Sequence, residues 1–355
     1  MLEDVVVVDG VLHAYHFDAD NRTTDGARYA AAVSDMVYGF HTGFSPDGHP
    51  QITQAQMDNA HDAEFLAGMM FRESHTDMCI FHGLPMFGWF TDGGSPLSVG
   101  REMRERWPGR VVLYGGISAH QPGALEEVDR LVEEDGVVGL KLYPVDLIDG
   151  VIRHTRLDDP EVTYPLIERA RQLGVKVVAM HKAVPMGPVP LAPFRPDDVD
   201  DAAETFPDMT FEVVHGGFAF LEETAFQVNR FPNVMVNLEG TSALLIKAPR
   251  KFARIIGTIA GLGGADRIIW GTGAPALHPR AFEEAMWAFD MPRDMVEGEG
   301  MPPLTEEVKR GILGGNALRM LGMRAADVIE ATGNDEFAEP RDLAPQWSSV
   351  AAARS

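Results

Sequence analysis

The sequence contains a single cysteine, so no intrachain disulfide and no thiolate zinc site can form. That residue, Cys79, lies inside the apolar run MCIFH, where a buried thiol packs and stays inert. Basic residues are scarce. Thirty Lys and Arg stand against 53 Asp and Glu, and the net charge of −23 would be repelled by a nucleic-acid backbone. No apolar run approaches the ~18 residues of a membrane span. The first residues, MLEDVVVVDG, lack the basic start of a secretory signal. We therefore expect a cytoplasmic protein with no nucleic-acid or membrane partner. A phosphate-binding P-loop, a GxGxxG fingerprint and a GxSxG elbow are also missing, so nucleotide and serine-hydrolase readings have no motif behind them.

The sequence does contain eight short apolar runs of β type: VVVVD (5–9), MCIFH (78–82), VVLYGG (111–116), VVGLKLY (137–143), VKVVAMH (175–181), FEVVH (211–215), VMVNLE (234–239) and RIIWGTG (267–273). Segments with helical spacing of apolar residues alternate with them, at 95–107, 122–134, 160–173, 196–206, 220–231 and 248–262. Several open at Pro, Ser or Asp, as helix N-termini do. From the second run onward the strand-to-strand interval is that of a βαβ unit, which makes the strands parallel. Eight of them predict an α/β fold, a (β/α)8 TIM barrel in one catalytic domain over 1–325. Two further helical stretches are expected at 280–289 and 305–321. The first connection is anomalous. Its early part, about 14–52, is an insertion rich in Gly, Asp and aromatics, of the kind that forms a lid or substrate-binding loop. Residues 326–355 read as an extended or disordered tail, or one that crosses onto a partner.

In a TIM barrel the C-terminal strand ends converge on the active site. His181 and His215 close successive strands, a placement that packing alone explains poorly, and the Gly-Gly after His215 permits close approach of a ligand. His13 and His16 follow the first strand, three residues apart. Glu239 closes the seventh strand and could bind a metal or pair with Lys141 of the fourth. Lys141 could neutralise a carboxylate or phosphate, bridge metals if carbamylated, or serve as a structural ion-pair partner. His82, at the end of the second strand, and His278, after the eighth, complete the candidates.

The segments VVDGVLH, GLKLYP, VVAMHK, VVHGG, WGTGAP and KRGILGGNALRML together resemble the amidohydrolase superfamily, in particular its amidohydrolase-related branch of hydrolases and nonoxidative decarboxylases. The resemblance spans 5–321. It implies that His181, His215 and His13 are metal ligands, while the family's first strand-one His falls at Val11 and its strand-eight Asp at Gly273. Hydrolysis needs a metal-activated water and a base for its proton, so these two losses point away from an ordinary hydrolase.

The stretches around 181–208, 211–223 and 271–279 are similar to TIM-barrel nonheme diiron monooxygenases of the platensimycin-pathway hydroxylase type. That resemblance implies two irons held by His13, His16, His181, His215, Glu239 and His278, with His82 and Lys141 serving catalysis. It also implies an apolar, CoA-linked substrate hydroxylated by dioxygen and an external electron donor. One alternative is a mononuclear hydrolase or nonoxidative decarboxylase with one Zn or Mn. Another is a non-catalytic ligand-binding barrel. An acidic barrel with a long tail is expected to form a homodimer.

Overall fold

The structure is a computed structural model that describes residues 2–338 and 343–352. Eight parallel strands form one sheet: β1 Val8–Leu12, β2 Met78–His82, β3 Val111–Gly116, β4 Gly139–Leu142, β5 Val177–His181, β6 Thr210–Val214, β7 Val234–Asn237 and β8 Ile268–Ile269. Each pairs with the next in chain order. The sheet closes through Gly10 N–H donating to Trp270 O and His13 N–H donating to Ala274 O, both at 2.8 Å. This is the expected (β/α)8 barrel. β2, β4, β5 and β7 are buried at every residue, because one face meets the helices and the other fills the barrel. That is why these strands read as continuous apolar runs rather than alternating ones.

The helices form where the apolar spacing places them. Ala124–Glu133 buries Val128 and Leu131 and carries Glu126 and Glu127 in its first turn, where acidic groups suit the helix dipole. Pro249–Ile259 and Pro279–Ala288 each begin on proline, whose missing N–H costs nothing in a first turn.

Three expectations need correction. The first strand lies at Val8–Leu12 rather than 5–9. Asp9 is not its polar end: the side chain is fully buried and is satisfied by Thr272 and the Val11 amide. The insertion is not an irregular loop, for it contains an 18-residue helix, α1, at Ala27–Phe44. The expected tail opens with a helix, Ala325–Thr332. Its last described part folds back onto the barrel, where fully buried Glu73 accepts from Trp347 N and Ser349 N at 2.6 Å and from Ser348 Oγ at 2.9 Å. Residues 339–342 and 353–355 of that tail lie outside the described residues. The hairpin Val145–Ile148 with Val151–His154 had no counterpart in the sequence reading. Among the described residues no helix is long and apolar enough to cross a membrane.

Candidate metal centre

The strand ends deliver His13, His181, His215 and Glu239 to one pocket at the C-terminal face. Their inward atoms form a chain. His181 Nδ1 lies 3.2 Å from His215 Nε2, which is 3.5 Å from Glu239 Oε2, and Glu239 Oε1 is 3.2 Å from His13 Nε2.

Each histidine has its other nitrogen against a main-chain carbonyl. His13 Nδ1 meets His82 O at 3.1 Å, His181 Nε2 meets Val184 O at 2.6 Å, and His215 Nδ1 meets Glu239 O at 2.8 Å. A carbonyl accepts only, so these nitrogens carry the protons and donate. In the neutral rings the inward nitrogens then hold lone pairs. Burial lowers the pKa of His181, with His215 and Lys141 adding to the effect, and burial likewise lowers His215. Burial alone would raise the Glu239 carboxyl, but His215, His13 and Lys141 outweigh it and hold it well below the usual carboxylate range. Three imidazole nitrogens and one carboxylate thus face one another across the pocket floor. A divalent cation between them would meet all four groups, and outward N–H groups fixed on carbonyls are how ligating histidines are oriented. The residues therefore fit a divalent metal, and an imidazole–carboxylate set suits Zn, Mn or Fe.

Local backbone supports the arrangement. His215 takes φ +62°, a left-handed conformation unusual for a side-chain-bearing residue. A Cβ on Gly240 would lie 3.0 Å from His215 Nδ1, so glycine there admits the ring. At Gly273, φ is +69° and a Cβ would meet Glu239 Cγ at 3.0 Å and Oε1 at 3.1 Å. The Glu239 carboxylate from the seventh strand therefore fills the space beside Gly273 on the eighth.

The other candidates fall elsewhere. Lys141 and His82 are fully buried below the pocket, and neither the Lys141 Nζ nor either ring nitrogen of His82 makes a hydrogen bond among the described residues. Burial lowers the Lys141 pKa even though Glu239 and Glu212 oppose it. His16 turns away to Asp92, 2.6 Å from its Nδ1, on a partly exposed rim. Its ligating atom also groups with those of Asp18 and Asp20, apart from the pocket. His278 is bound to Glu73 at 3.0 Å under the Trp347 ring. The structure thus places His16 and His278, both expected as ligands, against Asp92 and Glu73 rather than beside His13, His181, His215 and Glu239.

Four groups escaped the sequence reading. Tyr15 stacks on His13 and Tyr143 on His181, and both line the pocket. Burial raises both phenols well above their ordinary pKa, with the Glu239 charge adding to the effect, so they stay protonated. Asn237 accepts from Glu239 N at 2.9 Å and donates to Glu212 Oε1 at 2.6 Å, and burial raises the Glu212 pKa to about 7. A Glu and an Asn inside otherwise apolar strand runs were the available signal for the last two.

Barrel and convergent strand ends together define a (β/α)8 protein with a histidine–carboxylate cluster at its C-terminal face. The amidohydrolase family model matches residues 96–323, well over half of the sequence, and the chain belongs to that family. Among solved structures, the chain is similar to an uncharacterized TIM-barrel protein from Bordetella bronchiseptica, with 19% identity, 91% of this chain and 99% of that one covered, and a TM-score of 0.62. It is similar to a 5-carboxyvanillate decarboxylase from Novosphingobium aromaticivorans determined with manganese, with 13% identity, 91% and 99% covered, and a TM-score of 0.55. It is also similar to a probable 2-pyrone-4,6-dicarboxylic acid hydrolase from Acinetobacter baumannii, with 14% identity, 89% and 99% covered, and a TM-score of 0.51. A search of curated proteins found no match.

These comparisons overturn the expectation of a two-iron monooxygenase or hydroxylase. The matched structures of known chemistry are decarboxylases and a hydrolase, not oxidoreductases.

Proposed function

We propose that the protein is a mononuclear metal-dependent enzyme that decarboxylates an organic acid without oxidation. The observation that carries this reading is the convergence of three imidazole nitrogens and the Glu239 carboxylate at the strand ends. His13, His181, His215 and Glu239 would hold one Mn or Zn. When bound, such a cation withdraws charge from a substrate oxygen as a Lewis acid.

The chain's own groups do the rest. Tyr15 and Tyr143 are the protonated groups facing the pocket, and they are placed to donate to the acid's oxygens. Met36, Val37, Phe40, Leu84 and Phe218 give the walls an apolar surface that excludes water and favours departure of neutral CO2 over retention of a carboxylate. Loss of CO2 leaves an electron pair on carbon. One proton completes the product, which a tyrosine hydroxyl supplies and solvent restores. Glu239 cannot also serve as a free base, because its oxygens face His13 and His215. That weighs against hydrolysis, the second reading, which the probable hydrolase among the similar structures keeps in view. Decarboxylation requires no external electron donor and no CoA thioester.

The test combines metal analysis with product analysis. Protein purified without added metal is expected to hold about one Mn or Zn per chain. It should release labelled CO2 from members of a panel of carboxyl-labelled hydroxyaryl acids. Product carrying oxygen from labelled water, without CO2, would establish hydrolysis instead. Absence of bound metal would remove both readings.

A further inference from the structure

The space above the cluster amounts to about 660 Å3, open mouth included. Helix α1 lays Met36, Val37 and Phe40 over it, opposite Leu84, Met186 and Phe218. Among the described residues no Arg or Lys side chain lines it. Lys141 lies under the floor, fully buried. The polar groups are all at the bottom, where His13, His181, His215 and Glu239 meet the two tyrosines.

We propose that this pocket selects acids with one negative group on an apolar body and rejects di-acids, with α1 as the selecting element. The proposal rests on the reading that the cluster acts on an organic acid. One carboxylate reaches the floor, where the metal site and the phenols can pair with it. A second, at the far end of the same molecule, would lie against Met36, Phe40 and Met186. There it loses its hydration and finds no partner, which is the costly case for a charge. A hydrocarbon in that position exchanges water for apolar contact and binds more tightly as it lengthens. Met36 and Met186 are unbranched and adjust to the shape of that body. The walls are therefore tolerant of shape and intolerant of charge.

The experiment is a calorimetric titration of manganese-loaded protein with 4-methyl-, 4-ethyl- and 4-propylbenzoate and with benzene-1,4-dicarboxylate. Affinity is expected to rise about fourfold per methylene, and the di-acid to bind at least about tenfold more weakly than 4-methylbenzoate. Met36 is half-buried on the helix, so Met36→Arg adds a cation at the rim without opening the core. It should raise di-acid affinity about tenfold and lower that of 4-propylbenzoate. Phe40→Ala is the second variant and should flatten the chain-length dependence. A di-acid that binds as tightly as the monoacids, or no length dependence in the wild-type protein, would overturn the proposal. So would an unchanged di-acid preference in a folded Met36→Arg protein.

Binding is read without turnover, so the two readings fail separately. Graded binding of the alkylbenzoates with no CO2 release from any acid removes decarboxylation and leaves the selectivity standing. CO2 release from di-acids in preference to monoacids removes the selectivity and leaves decarboxylation standing.

Discussion

Placing a methyl group on residue 273 tests whether Glu239 has taken over the position of the missing strand-eight carboxylate. In Gly273→Ala two costs arise. The first is conformational: at φ +69° an L-residue is disfavoured by about 1–2 kcal/mol. The second is contact. The new Cβ would stand 3.0 Å from Glu239 Cγ and 3.1 Å from Oε1, so the carboxylate must move, and its 3.2 Å approach to His13 Nε2 is disturbed. Crowding of this kind in a packed site costs a further ~1–3 kcal/mol. Together the costs, about 2–5 kcal/mol, correspond to a fall in Tm of roughly 3–7 °C for a chain of this size. Glu239→Ala removes the obstacle, so Gly273→Ala made in that background should retain only the conformational part. Urea unfolding of the wild type, both single variants and the double variant, all in chelator, gives the coupling. Metal content after purification gives the consequence for the site, and Gly273→Ala is expected to lose most of it. Additivity within ~0.5 kcal/mol, or full metal retention in Gly273→Ala, would refute the reasoning.

Other outcomes follow from the same geometry. His181→Ala should abolish metal retention with little loss of secondary structure by circular dichroism, because His181 is the last residue of β5 and its ring faces the pocket. Glu212 has its folded pKa raised from 4.5 to about 7, so the stability it contributes is fully present below pH 4.5 and is lost as pH rises through 7. Glu212→Gln should therefore gain on the wild type across that window by up to about 3 kcal/mol, measured as the difference between two stability–pH curves; a constant difference would refute it. Glu73→Ala leaves His278 and the amides of Trp347 and Ser349 without their acceptor. It should cost about 3–5 kcal/mol and expose the C-terminal segment to protease, whereas an unchanged digestion pattern would show that the anchor is dispensable.

Much of the barrel was legible because its strands are buried on both faces and its helices on one. MCIFH and VVLYGG occupy the expected positions as β2 and β3, since continuous apolar character and flanking turns leave no other placement. The first strand slipped because a charged Asp9 looks like a strand end. Inside the barrel that carboxyl, its pKa raised by burial to about 6, is accommodated by the Thr272 hydroxyl and amide, partners some 260 residues away that no local pattern announces. Helix α1 was hidden for a different reason. Its apolar residues face a pocket and the protein body at once, so Tyr29, Ala30, Val33, Val37 and Phe40 mix with glycines and histidines in a segment that reads as a loop.

The site was half legible, and the boundary has a physical origin. Histidines at the ends of adjacent strands can be read from sequence because strand position alone fixes where they emerge. A ligand set also depends on what each side chain is already bound to, and that is tertiary information. His16 and His278 have the right residue type and sit near the right strand ends, yet Asp92 and Glu73 hold them. Glu239 could be read as a salt-bridge partner of Lys141, but Lys141 Nζ makes no hydrogen bond among the described residues while Glu239 lies between His13 and His215. The absence of the strand-eight acid at Gly273 looked in the sequence like a lost function. In three dimensions a Cβ there would meet Glu239 Cγ at 3.0 Å and Oε1 at 3.1 Å, so the glycine leaves room for a carboxylate one strand away. A glycine there and a glutamate at 239 are thus one feature rather than two, and the loss of either should remove the metal.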